Sequence, residues 1–367
     1  MTESTTSRFG LMRLMAAMIA VLLLLTACTG DGSSDDETTD GDSETSEETA
    51  DADTGEETGD EAAGSTTGEA VTIGFSAPAA DHGWIAAITE NAQATADEFD
   101  DVTLEVTEGT NDVNQQIAQV ETLINSGVDA LVILPFEGQA LTQVAQQAME
   151  AGIPVVNLDR VFSSPQAYRT YIAGDNYGMG VSAGNYIGQR LTDEGVTDPV
   201  IAEIAGIDNL PLTQDRSQGF ADALATFGFE VTARQAAEFT VESGQAVTAN
   251  LLQAEPEIDA IWNHDDDQGI GVLAAIQEAG RDEFFMVGGA GSANAMREIQ
   301  SGESVLQATV LYNPSMSSSA IRLARAIAQG TGLDGLAEND VPAEIITFSA
   351  VVTAENVEEY LPVGFES

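Results

Sequence analysis

IPVVNLDRVFSSPQAYRTYIAGDN, residues 153–176, carries the pattern from which the fold follows. It opens with an apolar, β-branched run (Ile153, Val155, Val156, Leu158) and stops at an acid–base pair, Asp159-Arg160. A second short run, Tyr171-Ile172-Ala173, ends in Gly174-Asp175-Asn176, after which the period turns helical. Short continuous apolar runs suit strands buried on both faces of a parallel α/β sheet. Ligands of such sheets sit beyond the carboxyl ends of the strands. A carboxylate beside a guanidinium at that place accepts and donates hydrogen bonds to one polar ligand. Taken alone, an ordinary ion pair in a βα loop is the plainer reading, and the rest of the chain has to decide.

The same alternation runs outward in both directions. Upstream, strand patterns at residues 71–77, 102–107 and 130–134 alternate with helical ones. Ile85, Ile88, Ala92, Ala96 and Phe99 share one helix face, and Gly127 and Gly152 stop the two helices that follow. Downstream, strands are expected at 200–205, 229–234, 258–262, 284–287 and 305–311, with helices between them and a last strand near 344–352. Strands alternating with helices of about ten to fifteen residues mean βαβ units and mostly parallel sheets. So many strands over roughly 300 residues argue for an α/β fold of two doubly wound lobes rather than one.

Residues that follow the strands change the odds on Asp159-Arg160. The first strand leads to Asp81-His82-Gly83-Trp84 and the third to Pro135-Phe136-Glu137. Later ends offer Asp208, Asn209, then Gln214 and Arg216 at a helix start, Phe239, and His264-Asp265-Asp266-Asp267. The last two carry Gly289-Ala290-Gly291 and Tyr312-Asn313. Polar and aromatic groups therefore collect at one end of the expected sheets. A sugar needs this combination, because it presents a C–H face to aromatic rings and a rim of hydroxyls to fixed donors and acceptors. Trp262, inside its strand, reads as core, and Arg234 reads as a surface residue.

With these residues in hand the chain resembles the type I periplasmic binding proteins, in particular the ribose- and galactofuranose-binding branch. The matching motifs are IPVVNLDR (153–160), IAGDN (172–176), DRSQGF (215–220), NHDDDQGIGVLAAI (263–276) and ATVLYNP (308–314), in that order. The resemblance implies two Rossmann-like lobes with parallel sheets, joined by a three-crossing hinge around a ligand cleft. Crossings are implied near Gly174-Asp175, Tyr312-Asn313 and Glu344-Ile345. The lobes would comprise residues 71–174 with 313–344, and 175–312 with 345–367. Carried over position by position, Asp159 and Arg160 match the groups that grip sugar hydroxyls. Arg216 matches an arginine of the second lobe, Phe239 a stacking aromatic, and Asp265 a position that is Asn or Asp in relatives. His82 and Trp84 fall where the first lobe offers a polar side chain and an aromatic. Two positions depart from ribose binders: an aspartate is replaced by Ala290 and a hinge glutamine by Tyr312. One acceptor is lost and bulk is gained, which speaks against ribose itself. Phe136 and Glu137 are weaker candidates.

The N-terminus and the composition fix the setting. Arg8 and Arg13 precede an apolar run, residues 14–25, too short to span a bilayer comfortably. It ends in Leu25-Thr26-Ala27-Cys28, which looks like a bacterial lipobox, so residues 1–27 are expected to be a lipoprotein signal and Cys28 its lipidated end. Cys28 is the only cysteine, which excludes disulfides within the chain. After Cys28, residues 29–70 hold Asp, Glu, Thr, Ser, Gly and Ala with no aromatic and no positive charge, so 28–70 is expected to be the lipidated Cys and a disordered, self-repelling tether. The formal net charge is −50, and all 11 basic residues are Arg. That argues against nucleic acid and against attraction to anionic lipid. A surface this acidic suits strong salt, as in halophile proteins; a GC-rich genome is the milder explanation for the missing Lys.

Other function classes fare worse. His264-Asp265-Asp266-Asp267 offers metal-ligand types, but four consecutive side chains do not converge, and no metal or cofactor is expected. Gly288-Gly289-Ala290-Gly291-Ser292 mimics a phosphate loop yet lacks its Lys. A repressor of this fold needs a DNA-reading headpiece where this chain has a signal and an acidic tail. The expected function is non-enzymatic: a monomeric solute-binding lipoprotein that hands a sugar or polyol to an ABC permease with its cytoplasmic ATPase. The alternatives are a receptor feeding a sensor protein, or a binder of a non-sugar solute such as a nucleoside or autoinducer.

Overall fold

The computed structural model describes residues 68–333 and 340–367. The expected signal, Cys28 and nearly all of the expected tether lie outside the described residues. The chain runs β1 (Val71–Ser76), α1 (Gly83–Asp97), β2 (Val102–Val106), α2 (Val113–Ser126), β3 (Ala130–Ile133), α3 (Gly138–Glu150), β4 (Val155–Leu158) and β5 (Thr170–Gly174). There follow α4 (Asn176–Asp193), β6 (Ile201–Ala205), α5 (Pro211–Thr226), β7 (Ala233–Ala236), α6 (Val241–Ala254), β8 (Ala260–Asn263), α7 (Asp266–Ala279) and β9 (Phe285–Ala290). The last elements are α8 (Ala293–Ser301), β10 (Leu306–Leu311), α9 (Met316–Ala328), β11 (Glu344–Thr347), β12 (Val351–Thr353) and α10 (Val357–Tyr360).

Among the described residues the strands form two six-stranded sheets, ordered β11-β5-β4-β3-β1-β2 and β12-β10-β9-β8-β6-β7. Neighbours are parallel throughout except β10 with β12. The continuous apolar runs have a direct cause. Along β3, Ala130 and Val132 enter one core cluster while Leu131 and Ile133 enter another on the opposite face. Helices α1 and α9 cover the first face and α2 and α3 the second. Each fully buried Val, Ile or Leu there contributes roughly 1.5–3 kcal/mol, so a polar residue is costly on either face. In both sheets the winding reverses beside the first strand, between β1 and β3 and between β6 and β8, which opens a crevice at the strand ends.

The chain passes between the sheets three times. Asp175 lies at the first crossing, between β5 and α4, a helix that packs on α5 of the second lobe; Asn313 lies at the second, between β10 and α9. The third corrects the expectation. Glu344 is not at a crossing but opens β11, which pairs in parallel with β5 from Glu344↔Tyr171 to Thr347↔Gly174. The crossing follows at residues 348–350, and β12 then pairs antiparallel with β10. Residues 345–347 therefore belong to the first sheet, not to the second lobe. Ile345-Ile346 and Val351-Val352 look like one strand in sequence, but they are two, in different sheets. A second shift concerns β7, which begins at Ala233 rather than at 229. Phe229 and Val231 alternate like a strand, yet they pack against the main core before the ladder with β6 starts.

Candidate ligand-binding cleft

One cavity lies between the lobes, lined by His82, Trp84, Asp159, Arg160, Leu212, Arg216, Phe239, Asp265, Ala290 and Tyr312. All eight side chains expected to touch a ligand are brought together there. The cavity volume is about 30 Å³, far below the roughly 300–1,000 Å³ of small-molecule sites, so a sugar-sized ligand needs the lobes or the lining side chains to move. A larger groove beside α7 and α8 holds none of the eight.

First-lobe residues arrive on the ends of β1 and β4. Asp159 sits at φ 61°, a left-handed conformation that strains a non-glycine residue. The turn is held from several sides: the Asp159 N–H donates to the Ile172 carbonyl (2.9 Å), and the Arg160 N–H donates to that of Leu158 (2.8 Å). The Tyr171 hydroxyl donates to the Asp159 carbonyl at 2.8 Å. Asn157, a polar residue inside β4, donates to the Arg160 carbonyl at 2.9 Å and accepts from the Phe162 N–H at 2.9 Å. Arg160 Nη1 donates to the Phe136 carbonyl at 2.8 Å. Its buried Nε has no hydrogen-bond partner and stands 3.9 Å from Asp159 Oδ2. A buried charged donor without an acceptor is costly unless something else supplies one.

Second-lobe residues face it. Arg216 Nε donates to Asn176 Oδ1 at 2.9 Å and Nη1 to the His264 carbonyl at 3.2 Å. Its guanidinium lies 4.6 Å from the Tyr312 ring centre and 5.9 Å from that of Phe239. Tyr312 joins the lobes: its hydroxyl donates to Asp159 Oδ1 at 2.5 Å and accepts from Asn176 Nδ2 at 3.1 Å. Its carbonyl accepts from Trp84 Nε1 at 2.8 Å. The ring lies against Gly174, where a Cβ would come within 2.2 Å of it. Phe239, at φ 63°, lies over Gly206 in the same way, where a Cβ would stand 1.9 Å from the ring. Among the described residues three non-glycines have positive φ, Asp159, Phe239 and Ala290, and all three line this cavity. Backbone strain gathers where function over-determines the chain.

The charges are unevenly held. His82 Nδ1 pairs with Asp81 Oδ1 at 2.6 Å. Burial works against a charged His82 ring, but that bond and the carboxylates of Asp265 and Asp267 more than offset it, so its pKa is raised. Burial, then the neighbouring charge of Asp267, raises the Asp265 carboxyl. Asp265 also caps α7, accepting from the Gln268 N–H at 3.1 Å.

His264 and Asp266 of the metal-like run have their partners away from the Asp265 and Asp267 carboxylates. His264 Nε2 meets Glu203 at 2.9 Å. Asp266 accepts from the backbone N–H groups of Gly289, Gly291 and Ser292 at 2.8–2.9 Å. Among the described residues no three His, Cys, Asp or Glu side chains are grouped to hold a metal ion. The glycine-rich run does cradle an acidic group, the carboxyl of Asp266, whose pKa burial pushes up to about 8. Trp262 is fully buried, its ring 4.7 Å from that of Phe220. Glu137 and Gln214 do not line the cavity, and Phe136 supplies only its carbonyl and its ring, 5.8 Å from the Arg160 guanidinium. Arg234, expected to be a surface residue, reaches buried Glu203 (3.4 Å) and Asp208 (2.6 Å).

Comparison with known proteins places this geometry. The model of the periplasmic binding protein domain matches residues 73–332. The chain belongs to this family. The ribose import binding protein of Bacillus subtilis is 33% identical over 211 residues, 58% of this chain and just under two thirds, 66%, of that protein. Its Escherichia coli counterpart is 30% identical over 243 residues, 66% of this chain and 79% of the relative. A Mycobacterium smegmatis protein solved in complex with β-D-fucofuranose superposes with a TM-score of 0.72 at 27% identity, covering 80% of this chain and 94% of that one. The family is a solute-binding class rather than an enzymatic one, and the two lobes have the type I architecture of its members.

Proposed function

We propose that this chain is an extracytoplasmic, lipid-anchored receptor that captures a single sugar or polyol between its lobes and delivers it to an ABC importer. The observation that carries the reading is the meeting of Asp159-Arg160 with Arg216 and Asp265 around one interlobe cavity walled by Trp84, Phe239 and Tyr312. Such a site offers donors and acceptors to hydroxyls and flat faces to C–H groups. The buried, unpartnered Nε of Arg160 supports a ligand acceptor at that place. Relatives named for ribose import and one solved with a furanose support the same class. Tyr312 and Ala290 favour a ligand other than ribose. Gly174, Asp175 and Asn313 act as hinge positions, and the protein works as a monomer with the permease and its cytoplasmic ATPase as partners. Cys28, following an apolar run too short to span, supplies the membrane anchor.

A thermal-shift panel of pentoses, hexoses, furanose-forming sugars, inositols, nucleosides and amino acids tests the class. A sugar or polyol is expected to give the largest rise in melting temperature. Stabilisation by an amino acid or nucleoside alone overturns it.

A further inference from the structure

Helix α1 of the first lobe begins without a cap of its own: the side chain of His82, its N-cap residue, makes no capping hydrogen bond. The first N–H groups of a helix need an acceptor, and here it comes from the opposite lobe. The Trp84 N–H donates to Asp267 Oδ2 at 2.9 Å, and the bond is buried. Asp267 belongs to α7, 183 residues further along the chain. Its other oxygen lies so near Gly83 that a Cβ there would stand 2.7 Å from Oδ1.

The C-terminal tail presses on the same spot. A Cβ on Gly83 would also meet the Glu366 carbonyl oxygen at 2.6 Å and Ser367 Cα at 2.7 Å. The tail is fastened to α8 of the second lobe. The Ala293 N–H donates to the Phe365 carbonyl (2.7 Å), and Asn294 Nδ2 donates to that of Ser367 (2.7 Å). Arg297 grips both carboxylate oxygens of Glu366, at 2.9 and 2.6 Å.

The geometry points to Asp267 as an interlobe latch: a positioning residue that caps α1 across the cleft only while the lobes are closed, and Gly83 as the close-approach point that lets it engage. Asp267 does not line the cavity, but Gly83 lies between two residues that do, His82 and Trp84. Engaging the latch therefore sets both side chains against the ligand, and separating the lobes strips α1 of its cap. A contact present only in the closed form shifts the open–closed balance and is felt in ligand release. The inference rests on the solute-binding reading above.

The test uses the full chain carrying Cys28→Ser and the panel sugar or polyol that binds it most tightly. Asp267→Ala is expected to lose about fivefold in affinity, the size of a missing helix cap, mostly through faster release. Asp267→Asn, whose amide oxygen still accepts the Trp84 N–H, recovers most of the loss. Gly83→Ala gives the sharper contrast: alanine favours the helix itself, yet the added methyl wedges the lobes apart and weakens binding. Parent-like affinity and release in Asp267→Ala, or parent-like binding in Gly83→Ala, overturns the latch. A second arm needs no ligand. Nitroxides on Glu121→Cys of α2 and Gln253→Cys of α6, both exposed, report the separation of the lobes by pulsed electron resonance. Both latch variants are expected to lengthen it. An unchanged distance distribution overturns the latch, whereas a parent that binds no sugar or polyol overturns only the ligand class.

Discussion

Replacing Arg216 is expected to remove a grip that the second lobe offers a ligand. Its side chain is 4% exposed, fixed by Asn176 and the His264 carbonyl and stacked on Tyr312. The rest of its fork is left for a ligand in the cavity it lines. Each charge-assisted hydrogen bond from such a group contributes about 1.5–3 kcal/mol where water is excluded. Truncation also strands the Asn176 amide oxygen. Arg216→Ala is therefore expected to weaken sugar binding by roughly tenfold to a hundredfold, the equivalent of about 1.4–2.8 kcal/mol, and Arg160→Ala by a similar amount. Arg216→Lys keeps the charge but loses the planar fork and the stack, so it should behave more like alanine than like the parent. The exposed Arg322 of α9, paired with Glu98, serves as the control, and Arg322→Ala should bind normally. Calorimetry with the tightest panel sugar measures the affinities, and unliganded melts check the fold. Arg160→Ala and Arg216→Ala variants that bind like the parent refute the reasoning.

Cys28→Ser is expected to move the protein from the membrane fraction to the medium; retention on membranes in high salt rules out the lipid anchor. Melting temperature should rise between low and molar KCl, because screening shortens carboxylate repulsion to about 3 Å, and an unchanged value makes the acidity incidental. His82 has a raised pKa in the fold, so its contribution is complete below the unfolded value of about 6.5 and is lost as pH climbs through the folded value. The parent should therefore lose stability over that rise and His82→Gln should lose less; superimposable pH profiles contradict this.

The sheets were legible because both faces are covered, which makes whole strands such as ALVI in β3 apolar. The strand ends were legible because polar and aromatic residues gather there and match a family pattern. What escaped depends on long-range partners. Asn176 was visible only as part of IAGDN, yet it joins Arg216 to Tyr312. Leu212 looks like any apolar helix residue until the second lobe turns it into the cavity wall. Arg234 on edge strand β7 looks solvated, and only its neighbour β6 brings Glu203 to it. The split of residues 344–353 between two sheets leaves no local mark, since both halves are short and β-branched. Asp267 read as the last of three acids in a row, and its partner at Trp84 lies on the far side of the cleft.

The position of a bound sugar is the most direct test of the proposed cleft. A crystal structure with the tightest panel ligand should show it between the lobes, its oxygens within hydrogen-bond distance of Arg160 Nε and the free edge of Arg216, and an aromatic face of Trp84, Phe239 or Tyr312 against its carbons. Density for the ligand in the groove beside α7 and α8, with the interlobe cavity left to water, would contradict it.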